Sequence, residues 1–190
     1  MLYKLAHTIQ KKMPWLWDMA EDVNAAVFVM MKRRGLKRLD ECCDSGVRVA
    51  QENDAAALAQ FFARQPKDAF RWFKPHAFDE ASIRRLLRMS SYIIYVQEEA
   101  GEIIGYAFLR CFCNGKSFLG KMVDHRHQGK GVCTRLCVVG MRMSTMLGIR
   151  MFESINKKNV GSMKASQKAC RVVVVEELED GDMLIEDMPQ

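Results

Sequence analysis

The sequence predicts a mixed α/β fold around one sheet, preceded by a basic helical arm. Three observations predict it. Strand-like runs follow one another across two strong turn signals, Ala100-Gly101 and Asn114-Gly115. The apolar run Phe118 to Val123 passes through a glycine-rich turn into a helix-like run, Val132 to Leu147. Strand, helix and hairpin patterns then alternate to the end of the chain.

The elements follow in order. Residues 1–45 read as one or two helices, with Tyr3, Leu5 and Ile9, then Trp15, Leu16, Met19, Val23, Val27 and Met30, at roughly helical spacing. Lys32, Arg33, Arg34, Lys37 and Arg38 close this arm with charges suited to a helix C-terminus. Asp44-Ser45-Gly46 marks a boundary, giving an extension over 1–45 and a main domain over 46–190. Val47 to Ala50 is strand-like, and Asn53 is placed to cap a helix from Asp54 to Arg64. Gln65 to Phe78, holding Pro66 and Pro75, reads as a loop, and Asp79 caps a helix running to about Met89. Strands are expected over Tyr92–Glu98, Ile103–Phe112, Phe118–Val123 and Arg150–Ile155. Asn159 caps a helix over Val160–Ala169, and Val172–Leu178 with Met183–Glu186 form a hairpin about the 179–182 turn.

Composition narrows the class. A chain of 190 residues, half of them hydrophobic, has enough apolar surface for a sizeable core. The net charge is +6, of which residues 1–39 carry +5 and everything after them +1, so no nucleic-acid surface is expected on the catalytic part. The seven cysteines form no disulfide framework. Cys42 and Cys43 are adjacent, Cys111 and Cys113 would share a strand face, and Cys133 and Cys137 a helix face, which suits free thiols in a reducing cytoplasm. Lysines interrupt the first dozen residues, so no secretory signal is read, and the uncharged run Val23–Met31 is too short to span a bilayer.

The chemistry centres on Gln128-Gly129-Lys130-Gly131-Val132-Cys133. Bare glycine backbone lets successive N–H groups approach an anion, and the new helix adds unpaired donors and the positive end of its dipole. The spacing Gln-x-x-Gly-x-Cys resembles the pyrophosphate-binding signature of the GCN5-related N-acetyltransferases, Gln/Arg-x-x-Gly-x-Gly/Ala, with Cys133 outside the usual final choice. The run Asn159 to Lys168 resembles the Asn-x-x-Ala/Ser helix of the same family.

This resemblance implies a central mixed, mostly antiparallel sheet, split between its fourth and fifth strands, with helices on both faces. It implies acetyl-CoA as co-substrate and no metal. The pantetheine arm would lie along a bulged strand at Lys121, Met122 and Val123, whose N–H groups polarise the acetyl carbonyl. The pyrophosphate would sit on Gln128, Gly129, Lys130, Gly131, Val132 and Cys133, with Thr134 adding a hydroxyl and Asn159 a side-chain contact. An acceptor amine, once deprotonated, would attack directly. The tyrosine many members use to protonate the leaving thiolate corresponds to Ser166, a poor acid. Cys170 likewise replaces a usual glycine. Glu153, on the strand beside the slot, is the first choice of base, against a plain surface carboxylate.

Between the first two helices, Phe70 to Phe78 sets Arg71, Phe73, Lys74 and His76 among aromatic rings. It resembles a Phe-x-Pro-His element of some bacterial members. Rings stack on sugars and cations pair with phosphates, so an amino sugar or nucleotide sugar is the expected acceptor, with His76 a further catalytic candidate. The bland alternative is a core-sealing loop with a structural histidine. The arm, with Trp15, Trp17 and Phe28 beside its basic cluster, is expected to pack, form a homodimer or dock a partner in preference to resting on a membrane surface. Two other readings stay open: a protein or peptide acetyltransferase, and a non-catalytic acetyl-CoA-binding module.

Overall fold

The computed structural model describes residues 14–44, 46–178 and 181–190, and no side chain before residue 19. The expected helix over residues 1–13, with Tyr3, Leu5 and Ile9, lies outside the described residues. So do the side chains of Trp15, Leu16 and Trp17, and residues 45, 179 and 180.

Helix α1 (Pro14–Leu36) leads through a short 3-10 turn (Leu39–Cys42) to β1 (Val47–Val49), α2 (Ala55–Ala63) and α3 (Glu80–Arg88). Then come β2 (Tyr92–Glu99), β3 (Glu102–Cys111), β4 (Lys116–Val123), α4 (Val132–Leu147), β5 (Arg150–Asn156), α5 (Val160–Ala169), β6 (Arg171–Glu177) and β7 (Asp182–Met188). The strands form one sheet in the order β1-β2-β3-β4-β5-β7-β6. Every neighbouring pair is antiparallel except β4 and β5.

That parallel pair is short. It joins Lys116 to Arg150, Ser117 to Met151 and Phe118 to Phe152, and then the strands part while β4 runs on to Val123 and β5 to Asn156. The sheet therefore opens into a fork at its centre.

Each face of the sheet carries its own core. On one, Leu136, Val139, Met143 and Leu147 of α4 pack with Leu119, Met151 and Ala165. On the other, Leu58, Phe61 and Phe62 of α2 and Ile83 of α3 pack with Tyr106, Phe108 and Met122. Gly105 makes the first layer tight, because a Cβ there would stand 2.7 Å from Val132 Cγ1. The expected caps form: Asp79 accepts the Ser82 N–H at 2.9 Å and Asn159 accepts that of Ser162 at 3.3 Å.

Two expectations change. The N-cap of α2 is Asp54, not Asn53, and it makes no side-chain cap bond there; Gln51 instead opens the 3-10 turn Glu52–Asp54, its N–H donating to Asp54 in a capping box. Strand β3 ends at Cys111, so Cys113 is exposed beyond it while Cys111 is buried. In α1, Met19, Val23 and Met30 are exposed, while Phe28 is fully buried in the α4-side core. The side toward the sheet is set by polar anchors: Asn24 donates to the Cys111 carbonyl and accepts the Cys113 N–H, and Glu21 pairs with Arg110.

Candidate active site

The glycine turn takes the shape its composition demands. Gly129 and Gly131 have φ of +75° and +83°, a region an L side chain enters only at a cost, and Gly131 is itself the N-cap of α4. No atom lies within 4 Å of a Cβ built on either glycine. Gln128, Gly129, Lys130 and Gly131 are all exposed. The first N–H groups of a sixteen-residue helix thus face solvent across an uncovered turn, an arrangement that accepts an anionic group.

A residue absent from the sequence reading pins this turn. Asp124 is fully buried and accepts bonds from Arg64 Nε at 2.7 Å, from Arg126 N–H at 2.9 Å and Nε at 3.0 Å, and from Gln65 Nε2 at 3.3 Å. Burial opposes its ionisation, but the bonds from Arg126, Arg64 and Gln65 outweigh that and hold its carboxyl well below the usual range. Gln65 also accepts the His125 N–H at 3.0 Å. The end of α2 therefore clamps the residues that open the glycine turn.

At the fork, backbone and side chains separate in role. Asp124 N–H bonds to the Ile104 carbonyl and Phe112 N–H to that of Lys116, so alternate residues of β4 turn their polar groups toward β3. By that alternation Lys121 and Val123 turn theirs toward β5, past its last paired residue, and Met122 turns its own toward β3. The register between β3 and β4 is unbroken from Gly105–Val123 to Cys111–Ser117. The expected bulge is therefore absent, and parting from β5, not a bulge, frees the β4 edge.

The Lys121 side chain crosses the fork. Its ammonium pairs with Glu153 of β5 and donates to Ser166 Oγ of α5 at 2.9 Å. Ser166 lies 2.9 Å from Glu153 Oε1 and 3.2 Å from the Ser162 carbonyl, either of which its hydroxyl can reach. The side chains of Lys121 and Glu153 are each only 3% exposed. Glu153 is therefore no surface carboxylate, and its lone pairs are committed to a cation and a hydroxyl, which suits holding charge better than abstracting a proton.

Burial alone lowers the Lys121 ammonium, but Cys137 and Glu153 opposite it outweigh that and raise it. Cys137 is itself raised, by its bond with Cys133 and by burial, so it stays a thiol and Glu153 is the charge that holds the ammonium. Cys133 is lowered, chiefly by its bond with Cys137 and further by Lys121.

Asp187 of β7 completes the cluster. It is buried, and neither oxygen meets a donor among the described residues. Burial first, then the neighbouring Glu153 carboxylate, push Asp187 up from 3.8 to about 8. It therefore holds its proton to well above the usual carboxylate range. The folded state binds a proton that the unfolded chain releases, so this group's contribution to stability falls as pH rises from about 4 to about 8. Melting temperatures measured across that window should decline in the wild type more steeply than in Asp187→Asn.

The aromatic loop lies on the opposite face. Phe73 and Phe78 stack with centroids 6.2 Å apart, Phe78 stacks on Phe62 at 4.4 Å, and Phe73 meets Tyr106 edge-on at 6.2 Å. His76 Nδ1 donates to the Ala77 carbonyl at 2.7 Å, so Nε2 accepts from the Tyr106 hydroxyl at 2.9 Å. Both ring nitrogens are thereby occupied, and burial lowers the imidazole, keeping it neutral. Arg71 and Lys74 are exposed, with the Arg71 guanidinium 4.7 Å from the Trp72 ring centroid. His76 also lines a cleft of about 910 Å³ between α1 and α3, walled by Glu21, Arg84, Arg88, Tyr92 and Arg110. Asn159 spends its side-chain oxygen on its helix cap, leaving the amide nitrogen for a further contact. Among the described residues no group of His, Cys, Asp and Glu side chains is placed to hold a metal ion.

A forked, mostly antiparallel sheet whose fourth strand enters a glycine turn is the fold of the GCN5-related N-acetyltransferases. The GNAT domain of S. lividans PAT superposes with a TM-score of 0.65 at 18% identity, covering 74% of this chain and 88% of that one. The aminoglycoside acetyltransferase AAC(6')-Ib, in complex with coenzyme A and kanamycin, gives 0.58 at 16%, covering 75% and 93%. The ribosomal-protein-S5-alanine acetyltransferase of Vibrio fischeri gives 0.59 at 18%, covering 74% and 90%. No protein-family model and no curated protein matches the sequence. Among the described residues no helix is long and apolar enough to cross a membrane.

Proposed function

We propose that the protein is an N-acetyltransferase that moves the acetyl group of acetyl-CoA to a primary amine of a small molecule by direct attack. The observation that carries this reading is the coincidence of the fork with the glycine turn at the end of the same strand. A cofactor whose pyrophosphate rests on residues 128–133, with Thr134 at the helix start, has its pantetheine arm directed along the open edge of Lys121 and Val123. The N–H groups of that edge are the donors for the acetyl oxygen. Coenzyme A bound to a protein of the same fold supports the choice of cofactor.

The acceptor is an amino sugar or nucleotide sugar in this reading. The rings of Phe73 and His76 stand on the sheet face opposite α4, over Tyr106 and Phe108 of β3, and the exposed Arg71 and Lys74 are available to phosphates. An aminoglycoside is the acceptor named for one similar structure and a ribosomal protein for another, so both classes belong in the test.

Free thiol released from acetyl-CoA should be followed with an aminoglycoside, an amino nucleotide sugar, a polyamine and an alanine-terminated peptide. The expected result is amine-dependent release, fastest with a sugar amine. Release with the peptide alone would overturn the acceptor class. No release above that of acetyl-CoA by itself would overturn the transfer reading and leave a binding module.

A further inference from the structure

We propose, resting on the acetyl-transfer reading above, that the Lys121 ammonium is the cation that receives and stabilises the departing coenzyme A thiolate. Lys121 breaks its own row. Its neighbours on the same face of β4, Leu119 and Val123, are apolar and pack in the α4-side core. A lysine buried among them forfeits hydration that a leucine would not need. The structure spends two further polar groups, Glu153 and Ser166, on keeping that one charge in place.

The location is specific. The Lys121 backbone lies on the open edge of β4, and its side chain crosses the fork toward β5 and α5. It ends 2.9 Å from Ser166 Oγ of α5. A small serine leaves the space that the lysine occupies. An ammonium has three N–H donors, and among the described residues Glu153 and Ser166 take two, leaving one for a sulfur lying in the fork.

The charges close without moving the lysine proton. The amine lone pair forms the C–N bond, the C–S bond breaks, and its electron pair stays on sulfur. The acetylated nitrogen gives its extra proton to water. The thiolate leaves its ion pair with Lys121 by taking a proton from water, and Lys121 remains an ammonium throughout. Lys121 thus acts by electrostatic stabilisation in a site shielded from solvent, and not as the acid the missing tyrosine would be.

Binding of coenzyme A and of desulfo-coenzyme A, which lacks the thiol, separates the possibilities. The wild type at neutral pH should show the ultraviolet thiolate band on binding coenzyme A, and should bind it about tenfold more tightly than the desulfo analogue, the size of one charge-assisted hydrogen bond. Lys121→Met should lose both the band and the preference and keep its affinity for desulfo-coenzyme A. Should that variant fail to fold, Lys121→Met combined with Glu153→Gln removes both charges and should give the same result. Tight binding of coenzyme A by the wild type with no thiolate band would overturn the proposal, as would a band that survives in the folded variant. Failure of the wild type to bind either ligand is the one outcome that overturns the acetyl-transfer reading as well.

Discussion

Replacing Gly131 with Glu is expected to abolish the stabilisation that acetyl-CoA gives the wild type. At about a hundred times its dissociation constant a ligand adds roughly 2.7 kcal/mol, which for a chain of this size raises the melting temperature by about 5–10 °C. The substitution places a carboxylate at the N-cap of α4, where the proposed pyrophosphate rests, and puts a Cβ on backbone at φ +83°. The strain costs about 1–2 kcal/mol, and the space around Gly131 is open, so the variant should fold with a modestly lower melting point. It should then show no response to acetyl-CoA in a thermal melt. A response equal to that of the wild type would remove the glycine turn from the cofactor site.

Lys121→Met alone should destabilise the protein by about 3–5 kcal/mol, because it leaves Glu153 as a buried charge without its partner. Adding Glu153→Gln removes the stranded charge and should recover most of the loss, while Glu153→Gln alone strands the ammonium. Urea midpoints for the three variants measure the coupling directly. Additive losses would mean that the two groups do not depend on each other. Most single substitutions cost far less, so the pair marks where the fold is least tolerant of one-sided change.

Much of the fold was legible because local chemistry dictates it. Asn114-Gly115 places the β3–β4 hairpin turn, Asp79 and Asn159 cap the helices they were expected to cap, and α4 runs over Val132–Leu147 as its apolar spacing requires. The glycine turn was legible for the same reason, since left-handed backbone selects glycine. The rest depends on contacts distant in sequence. The bond from Arg64 to Asp124 spans sixty positions, and no spacing rule connects them. Lys121 was read for its backbone alone, because only the sheet register and the fork decide that its side chain meets Glu153. In α1 the helical period was legible, but not which residues it buries. The helix is anchored by Asn24 and Glu21 on polar partners of the β3 end, so exposed methionines imitate the pattern of a core face.

The buried carboxylate of Asp124 joins two segments that would otherwise be separate. Arg64 and Gln65, on one side of it, end α2 and open the aromatic loop; His125 and Arg126, on the other, open the glycine turn. One loop is the wall proposed for the acceptor and the other the seat proposed for the cofactor. Both are thus fastened to the same carboxylate, so a change in its bonds reaches the two loops together. By linkage, whatever free energy one occupant gains from tightening those bonds is returned in equal measure to the affinity of the other.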